Sequence, residues 1–183
     1  MNRNIVKHIP NILSFLRIIL IIPIVILYNS DGGHLAAVIL LAVSCFTDLI
    51  DGKIARKFDA VSKLGKGLDG FADKLMQLAM ILCLLSKYSQ LNVLFAVLLV
   101  KEIGMGVIGL VYYKKTQEVH AARMYGKVST VLIDSTLIIL FFFNNLPNLL
   151  VWGMICACLI SSFFAGVMYA LMYTKSFKEI ENK

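Results

Sequence analysis

Acidic residues are scarce in this chain: 11 Asp and Glu stand against 18 Lys and Arg, and charged residues of both signs make up only 16% of its 183 residues. With 59% hydrophobic content and a mean hydropathy of +0.81, this excludes an ordinary soluble domain, where apolar residues make up roughly 45–50%. The excess lies in long blocks, and no stretch between them is large enough for a separate soluble domain. Repeats and low-complexity segments are also lacking. The four cysteines, Cys45, Cys83, Cys156 and Cys158, lie in apolar stretches without metal-like spacing to histidine. Cys156 and Cys158 project from different faces of a helix, so all four read as small buried hydrophobes rather than ligands. The net charge of +7 could serve nucleic acid, but the basic residues gather at the ends of apolar blocks. There they set membrane topology, and no nucleic-acid partner is expected.

A membrane span needs about 20 mostly apolar residues. The pattern predicts an all-α, polytopic membrane protein with six transmembrane helices over 11–28, 35–55, 67–85, 91–113, 127–144 and 149–173. Residues 1–10, with Arg3, Lys7 and His8, read as a short N-terminal interfacial segment. They resemble a signal-peptide n-region, but Arg17 interrupts the apolar run and no small-residue cleavage site follows, so the segment is expected to be retained. Loops 29–34, 86–90 and 145–148 together hold one basic residue, Lys87. The alternate loops and the ends hold most of the others, including Lys57, Lys63, Lys66, Lys114, Lys115, Arg123, Lys175 and Lys178. The positive-inside rule then predicts a multi-pass protein of the cell membrane with both termini on the cytoplasmic side.

Against this apolar background, five of the 11 acidic residues fall within one window, and four of them, Asp48, Asp51, Asp69 and Asp73, adjoin the apolar runs on either side. Carboxylates near lipid are costly unless paired, solvated or bound to metal. Asp48 and Asp51 are three apart at the cytoplasmic end of the second span, and Asp69 and Asp73 are four apart at the start of the third, so each pair shares a helix face. The basic connection 57–66, punctuated near its end by Gly65 and Gly67, is short. It predicts antiparallel neighbouring helices that direct all four carboxylates into one cavity. An all-carboxylate set suits Mg²⁺ or Mn²⁺ rather than zinc, and a pair of such ions commonly clamps the oxygens of a phosphoryl-type displacement. Gly52 removes a side chain where a ligand could approach the backbone, and Arg56 supplies a planar fork suited to phosphate. Asp59 reads as a solvated loop residue.

The run Asp48-x-x-Asp51-Gly52-x-x-Ala55-Arg56, then eight residues, then Gly65-x-x-x-Asp69-x-x-x-Asp73 resembles the signature of the CDP-alcohol phosphatidyltransferases without a gap. The resemblance covers the whole length, since that family is built on six membrane helices, and implies a single membrane domain over 1–183. It also implies transfer of a phosphatidyl group from CDP-diacylglycerol to an alcohol with release of CMP, at a window that the positive-inside rule puts on the cytoplasmic side. By matching position, Asp48, Asp51, Asp69 and Asp73 would hold two divalent ions, and Asp73 would also take the proton of the acceptor hydroxyl. Gly52, Ala55, Arg56 and Gly65 would line the cytidine diphosphate site. The family's habit of pairing implies a homodimer.

The stretch Pro10-Asn11-Ile12-Leu13-Ser14-Phe15-Leu16-Arg17 resembles the opening of the bacterial phosphatidylglycerolphosphate synthases of this family. Asn11, Ser14 and Arg17 form one polar stripe at helical spacing. Arg17 is expected to face the cavity, the alternative being that it snorkels to the interface. Lys101-Glu102 resembles the Arg-Glu pair of those synthases. Adjacent helical residues do not face each other, so no mutual salt bridge is assumed and Glu102 is expected to reach a polar cavity. Gly126-Lys127-Val128-Ser129-Thr130 resembles their Gly-Lys-x-Lys-Thr, which would let Lys127 meet a phosphate unless it only sets topology. Asn11, Arg17, Glu102 and Lys127 are therefore the candidate acceptor-binding residues, with glycerol 3-phosphate as the acceptor.

Three departures from the synthases stand out. Ile108, Gly109 and Leu110 occupy the region of a second basic residue, Ser129 replaces a lysine, and Gly70 replaces a proline. Fewer cations weaken the fit to a dianionic acceptor, which makes a cardiolipin synthase using phosphatidylglycerol the runner-up. A reading from another class is an ion or proton transporter, since membrane carboxylates also mark ion paths. The clustering of the aspartates at one end and the lack of broken-helix repeats oppose it. Asp134 in the fifth span has no place in the motif.

Overall fold

The computed structural model describes residues 3–57, 63–116, 124–143 and 145–181, with side chains 3–11, 49, 51–57, 63–64, 66, 113–116, 124–125 and 175–181 outside the description. All regular structure among the described residues is helical: α1 (Arg3–Tyr28), α2 (His34–Lys57), α3 (Lys63–Leu85), α4 (Leu91–Thr116), α5 (Met124–Phe142) and α6 (Asn148–Glu181). Helix α1 continues through Pro10, so no break separates the expected interfacial segment from the first apolar helix. Gly65 and Gly67 lie inside α3 rather than in a connection. Glycine costs about 1 kcal/mol in a helix interior, which weakens a helix without forbidding it.

The chain divides into two compact units, Met1–Ser86 and Lys87–Lys183. In the first, α1 packs against both α2 and α3, and among the described residues α2 and α3 share no comparable contact. Helix α1 is thus the common packing partner of the two helices that carry the acidic residues. Ile24, Ala37, Leu41, Ala72 and Leu84 form the buried apolar contacts of this unit. Helix α1 ends where the Asn29 side chain donates to the Val25 carbonyl at 2.8 Å and Ser30 Oγ donates to the Leu27 carbonyl at 2.9 Å. The turn then needs Gly32 at φ 76°, a left-handed conformation that glycine adopts without strain.

In the second unit, α6 packs against both α4 and α5. Ile133, Leu137, Leu140 and Phe141 of α5 and Val151, Ile155 and Cys158 of α6 are buried in this unit. Tyr88 Oη donates to the Phe143 carbonyl at 3.2 Å and fastens the segment before α4 to the end of α5. Gly126 permits a close approach: a Cβ there would lie 2.5 Å from Tyr169 Oη and 2.9 Å from its Cε2. Because Tyr169 is buried, Gly126→Ala is expected to overpack this contact and destabilise the protein by about 1–3 kcal/mol. A lowered thermal midpoint in detergent is the readout, and an unchanged midpoint would count against the contact.

Among the described residues, two helices are long and apolar enough to cross a membrane, over Leu91–Tyr112 and Asn148–Thr174, with mean hydropathies of 2.2 and 2.1. Only 11% and 28% of their apolar windows are buried, so neither resembles the core helix of a soluble protein. Val100 (74%), Leu149 (86%), Ile160 (70%) and Phe163 (73%) are turned outward. The apolar stretches of α1 and α2 are shorter, Ile12–Tyr28 and His34–Asp48. The outward apolar faces also account for a difference among the cysteines. Cys83 and Cys158 are buried as expected, but Cys45 is half-buried and Cys156 is exposed. An apolar helix that faces lipid does not need to place every small hydrophobe inside.

Candidate active site

Polar residues recur at helical spacing on each helix of the first unit: Ser14 and Arg17 on α1, Ser44 and Asp48 on α2, and Asp69, Asp73 and Gln77 on α3. A spacing of three or four repeats one face of a helix. Because α1 packs against both other helices, the three stripes meet at one place. Asp48, Asp69 and Asp73 each bring one carboxylate oxygen there, and the three lie within 4.8 Å of one another. Asp51, expected as the fourth member, lies outside the described side chains, as do Asn11, Gly52, Ala55 and Arg56.

Arg17 stands at the junction. Its Nη1 donates to Asp73 Oδ1 at 2.6 Å and to Asp69 Oδ1 at 3.3 Å, and its Nη2 donates to Asp48 Oδ1. The Arg17 side chain is 3% exposed, whereas those of Asp48, Asp69 and Asp73 are 42%, 46% and 52% exposed. The cation is thus sunk among the helices, and the anions around it remain open on one side. Snorkelling is excluded by this geometry, since a snorkelling arginine would carry its head to the exposed side. Ser14 Oγ donates to Asp69 Oδ1 at 3.5 Å.

The donor set fits a hard divalent cation. Three carboxylates converge without histidine or cysteine among them, as Mg²⁺ or Mn²⁺ requires. Ser44 Oγ, one turn before Asp48, is buried without a hydrogen-bond partner among the described residues. Ser44 and Gln77 are buried polar residues one helical turn from Asp48 and Asp73, a four-residue spacing visible in the sequence. Gly65 lies in the first turn of α3, four residues before Asp69.

Glu102 and Lys127 belong to the second unit. Glu102 is half-exposed, and its Oε1 lies 3.8 Å from Lys101 Nζ. That ion pair was not anticipated, because neighbouring side chains leave a helix in different directions; long flexible stems close the gap. Lys127 is exposed on the first turns of α5. Ser129, at the position where the similar synthases carry lysine, is fully buried and shares a 3.2 Å hydrogen bond with Ser162 of α6. Here the position joins two helices instead of presenting a cation. A cavity of about 500 Å³ opens between α4 and α6, lined by Val97, Val100, Phe163 and Val167 with Lys101 on its wall.

Comparison with known proteins accords with this chemistry. A CDP-diacylglycerol–glycerol-3-phosphate 3-phosphatidyltransferase of Bacillus subtilis is 33% identical over 157 residues, covering 76% of this chain and 79% of that protein. The protein of the same name from Aquifex aeolicus is 29% identical over 133 residues, covering 72% of this chain and 74% of its own length. A cardiolipin synthase (CMP-forming) / mitochondrial hydrolase fusion protein of Schizosaccharomyces pombe is 31% identical over 127 residues, which is 69% of this chain and 21% of the fusion protein. The sequence profile of the CDP-alcohol phosphatidyltransferases matches residues 7–171, both acidic pairs included. With nearly its whole length matched, the chain belongs to the CDP-alcohol phosphatidyltransferase family.

Proposed function

We propose that this enzyme transfers the phosphatidyl group of CDP-diacylglycerol to the hydroxyl of glycerol 3-phosphate, forming phosphatidylglycerophosphate and releasing CMP. The observation that carries the reading is the convergence of Asp48, Asp69 and Asp73, from both halves of the acidic signature, on one open-sided site. In the reaction the acceptor oxygen bonds to the phosphatidyl phosphorus, the bond from that phosphorus to the CMP oxygen breaks, and the hydroxyl proton passes to an Asp73 carboxylate oxygen. Asp48, Asp51, Asp69 and Asp73 would hold Mg²⁺ or Mn²⁺, as a pair of ions. Such ions neutralise the diphosphate and stabilise CMP as leaving group. Gly52, Ala55, Arg56 and Gly65 line the nucleotide side. Arg17, Asn11, Glu102 and Lys127 serve the acceptor.

The chain acts as one domain of six membrane helices, a reading supported by the family match running through both units. Both termini and the site lie on the cytoplasmic side, a reading supported by the distribution of basic residues among the loops, and two copies pair as a homodimer. A membrane site suits a donor whose acyl chains must stay in lipid.

One observation favours a second acceptor. Ser129 is buried against Ser162, and Ile108, Gly109 and Leu110 supply no cation. A pocket with fewer positive charges suits phosphatidylglycerol, which would make the enzyme a cardiolipin synthase. Purified enzyme supplied with CDP-diacylglycerol and Mg²⁺ or Mn²⁺ is to be offered glycerol 3-phosphate, phosphatidylglycerol, serine and inositol separately. CMP release with phosphatidylglycerophosphate as the lipid product is expected from the first alone. Cardiolipin as the sole product would replace the first reading by the second, and no CMP with any alcohol would sink the transferase assignment.

A further inference from the structure

Arg17 does something that acceptor binding does not account for. It is a contact through which α1 joins the carboxylate of α2 to those of α3. Three carboxylate oxygens within 4.8 Å of one another repel strongly unless a cation stands among them. The guanidinium supplies that cation from the buried side, and it holds its charge at any physiological pH because arginine does not deprotonate in proteins.

We propose that Arg17 is an internal placeholder for the divalent cation. Without the ion, its guanidinium keeps Asp48, Asp69 and Asp73 assembled. When the ion takes the same carboxylates, Arg17 gives up those contacts. Ion and arginine therefore compete, and a single positive charge set against three carboxylates is the weaker competitor. The exposure pattern fits the exchange: the three aspartates are open on the side from which an ion would arrive, and Arg17 lies beneath them. Its planar fork, once released, is suited to a phosphate oxygen. Arg17 is thus a positioning residue that acts through the aspartates. The inference rests on the metal-site reading proposed above, but not on the identity of the acceptor.

The test uses the full-length protein in lipid nanodiscs, without nucleotide or lipid substrate, and Mn²⁺ as the probe, titrated by electron paramagnetic resonance. Arg17→Gln is expected to bind Mn²⁺ about tenfold more tightly than the parent, because a competing ligand of the site is gone. Its thermal midpoint should fall below the parent's in chelator and recover when Mn²⁺ is saturating. Arg17→Lys, which keeps the charge but loses the fork, should bind Mn²⁺ with intermediate affinity and covers the case in which Arg17→Gln does not fold. A purely structural arginine would lower the midpoint with and without Mn²⁺, and a purely acceptor-binding one would leave Mn²⁺ affinity unchanged. Either result overturns the placeholder alone, as would weaker Mn²⁺ binding by the folded variants. Absence of Mn²⁺ binding by the parent and both variants would overturn it together with the metal site, whether or not CMP is released in the separate assay.

Discussion

Asp73→Asn is expected to lower CMP release by about a thousandfold or more, within or beyond the 10²–10⁴ range of a general base, since the same carboxylate is also a metal ligand in the proposed site. The expectation follows from where the side chain stands. Asp73 is 52% exposed, the most open of the three converging carboxylates, so an acceptor hydroxyl can reach it. Asparagine preserves its volume but can neither accept the proton nor neutralise a cation. Folding should survive, because Arg17 keeps its contacts with Asp48 and Asp69. The measurement is CMP formation beside the thermal midpoint of the same preparation. Substantial turnover in a well-folded Asp73→Asn protein would remove Asp73 as the base. Asp69→Asn provides the comparison, since it takes away a proposed metal ligand and leaves the base in place.

How much of this site was legible in the sequence depends on the distance over which its determinants act. Helical period is local, so the pairing of Asp69 with Asp73, and of Ser14 with Arg17, could be read from spacing alone. The same spacing applied to Ser44 and Gln77 would have extended the polar stripes, but serine and glutamine carry no charge to draw notice in an apolar run. The packing of α1 against both α2 and α3 was not legible. A short connection states only that two helix ends are close, and which third helix packs against both depends on side-chain volumes over all three. Ser129 and Gly126 show the same limit. Both were read as parts of a cation-bearing motif, while the structure uses Ser129 to bond Ser162 and Gly126 to admit the Tyr169 ring. Apolarity alone likewise could not tell an exposed cysteine from a buried one, as Cys156 and Cys158 demonstrate two residues apart.

Removal of divalent cations is expected to abolish CMP release, and addition of Mg²⁺ or Mn²⁺ to restore it. The charges of the described site account for the size of the effect. Asp48, Asp69 and Asp73 gather three carboxylates around Arg17 where, in the proposed reaction, an anionic diphosphate would bind. At about 4 Å, a pair of like charges at an effective dielectric of 20 repels by about 4 kcal/mol, so the donor cannot settle there unaided. Divalent ions reverse the sign of the site, and oxygen-only donors favour hard cations over zinc. Chelator-treated enzyme should therefore be silent with every acceptor. It should recover with Mg²⁺ or Mn²⁺ to a far greater extent than with an equal concentration of Zn²⁺. Full turnover in the presence of excess chelator would show that Arg17 and the basic residues alone can hold the diphosphate, and the carboxylates would then need another explanation.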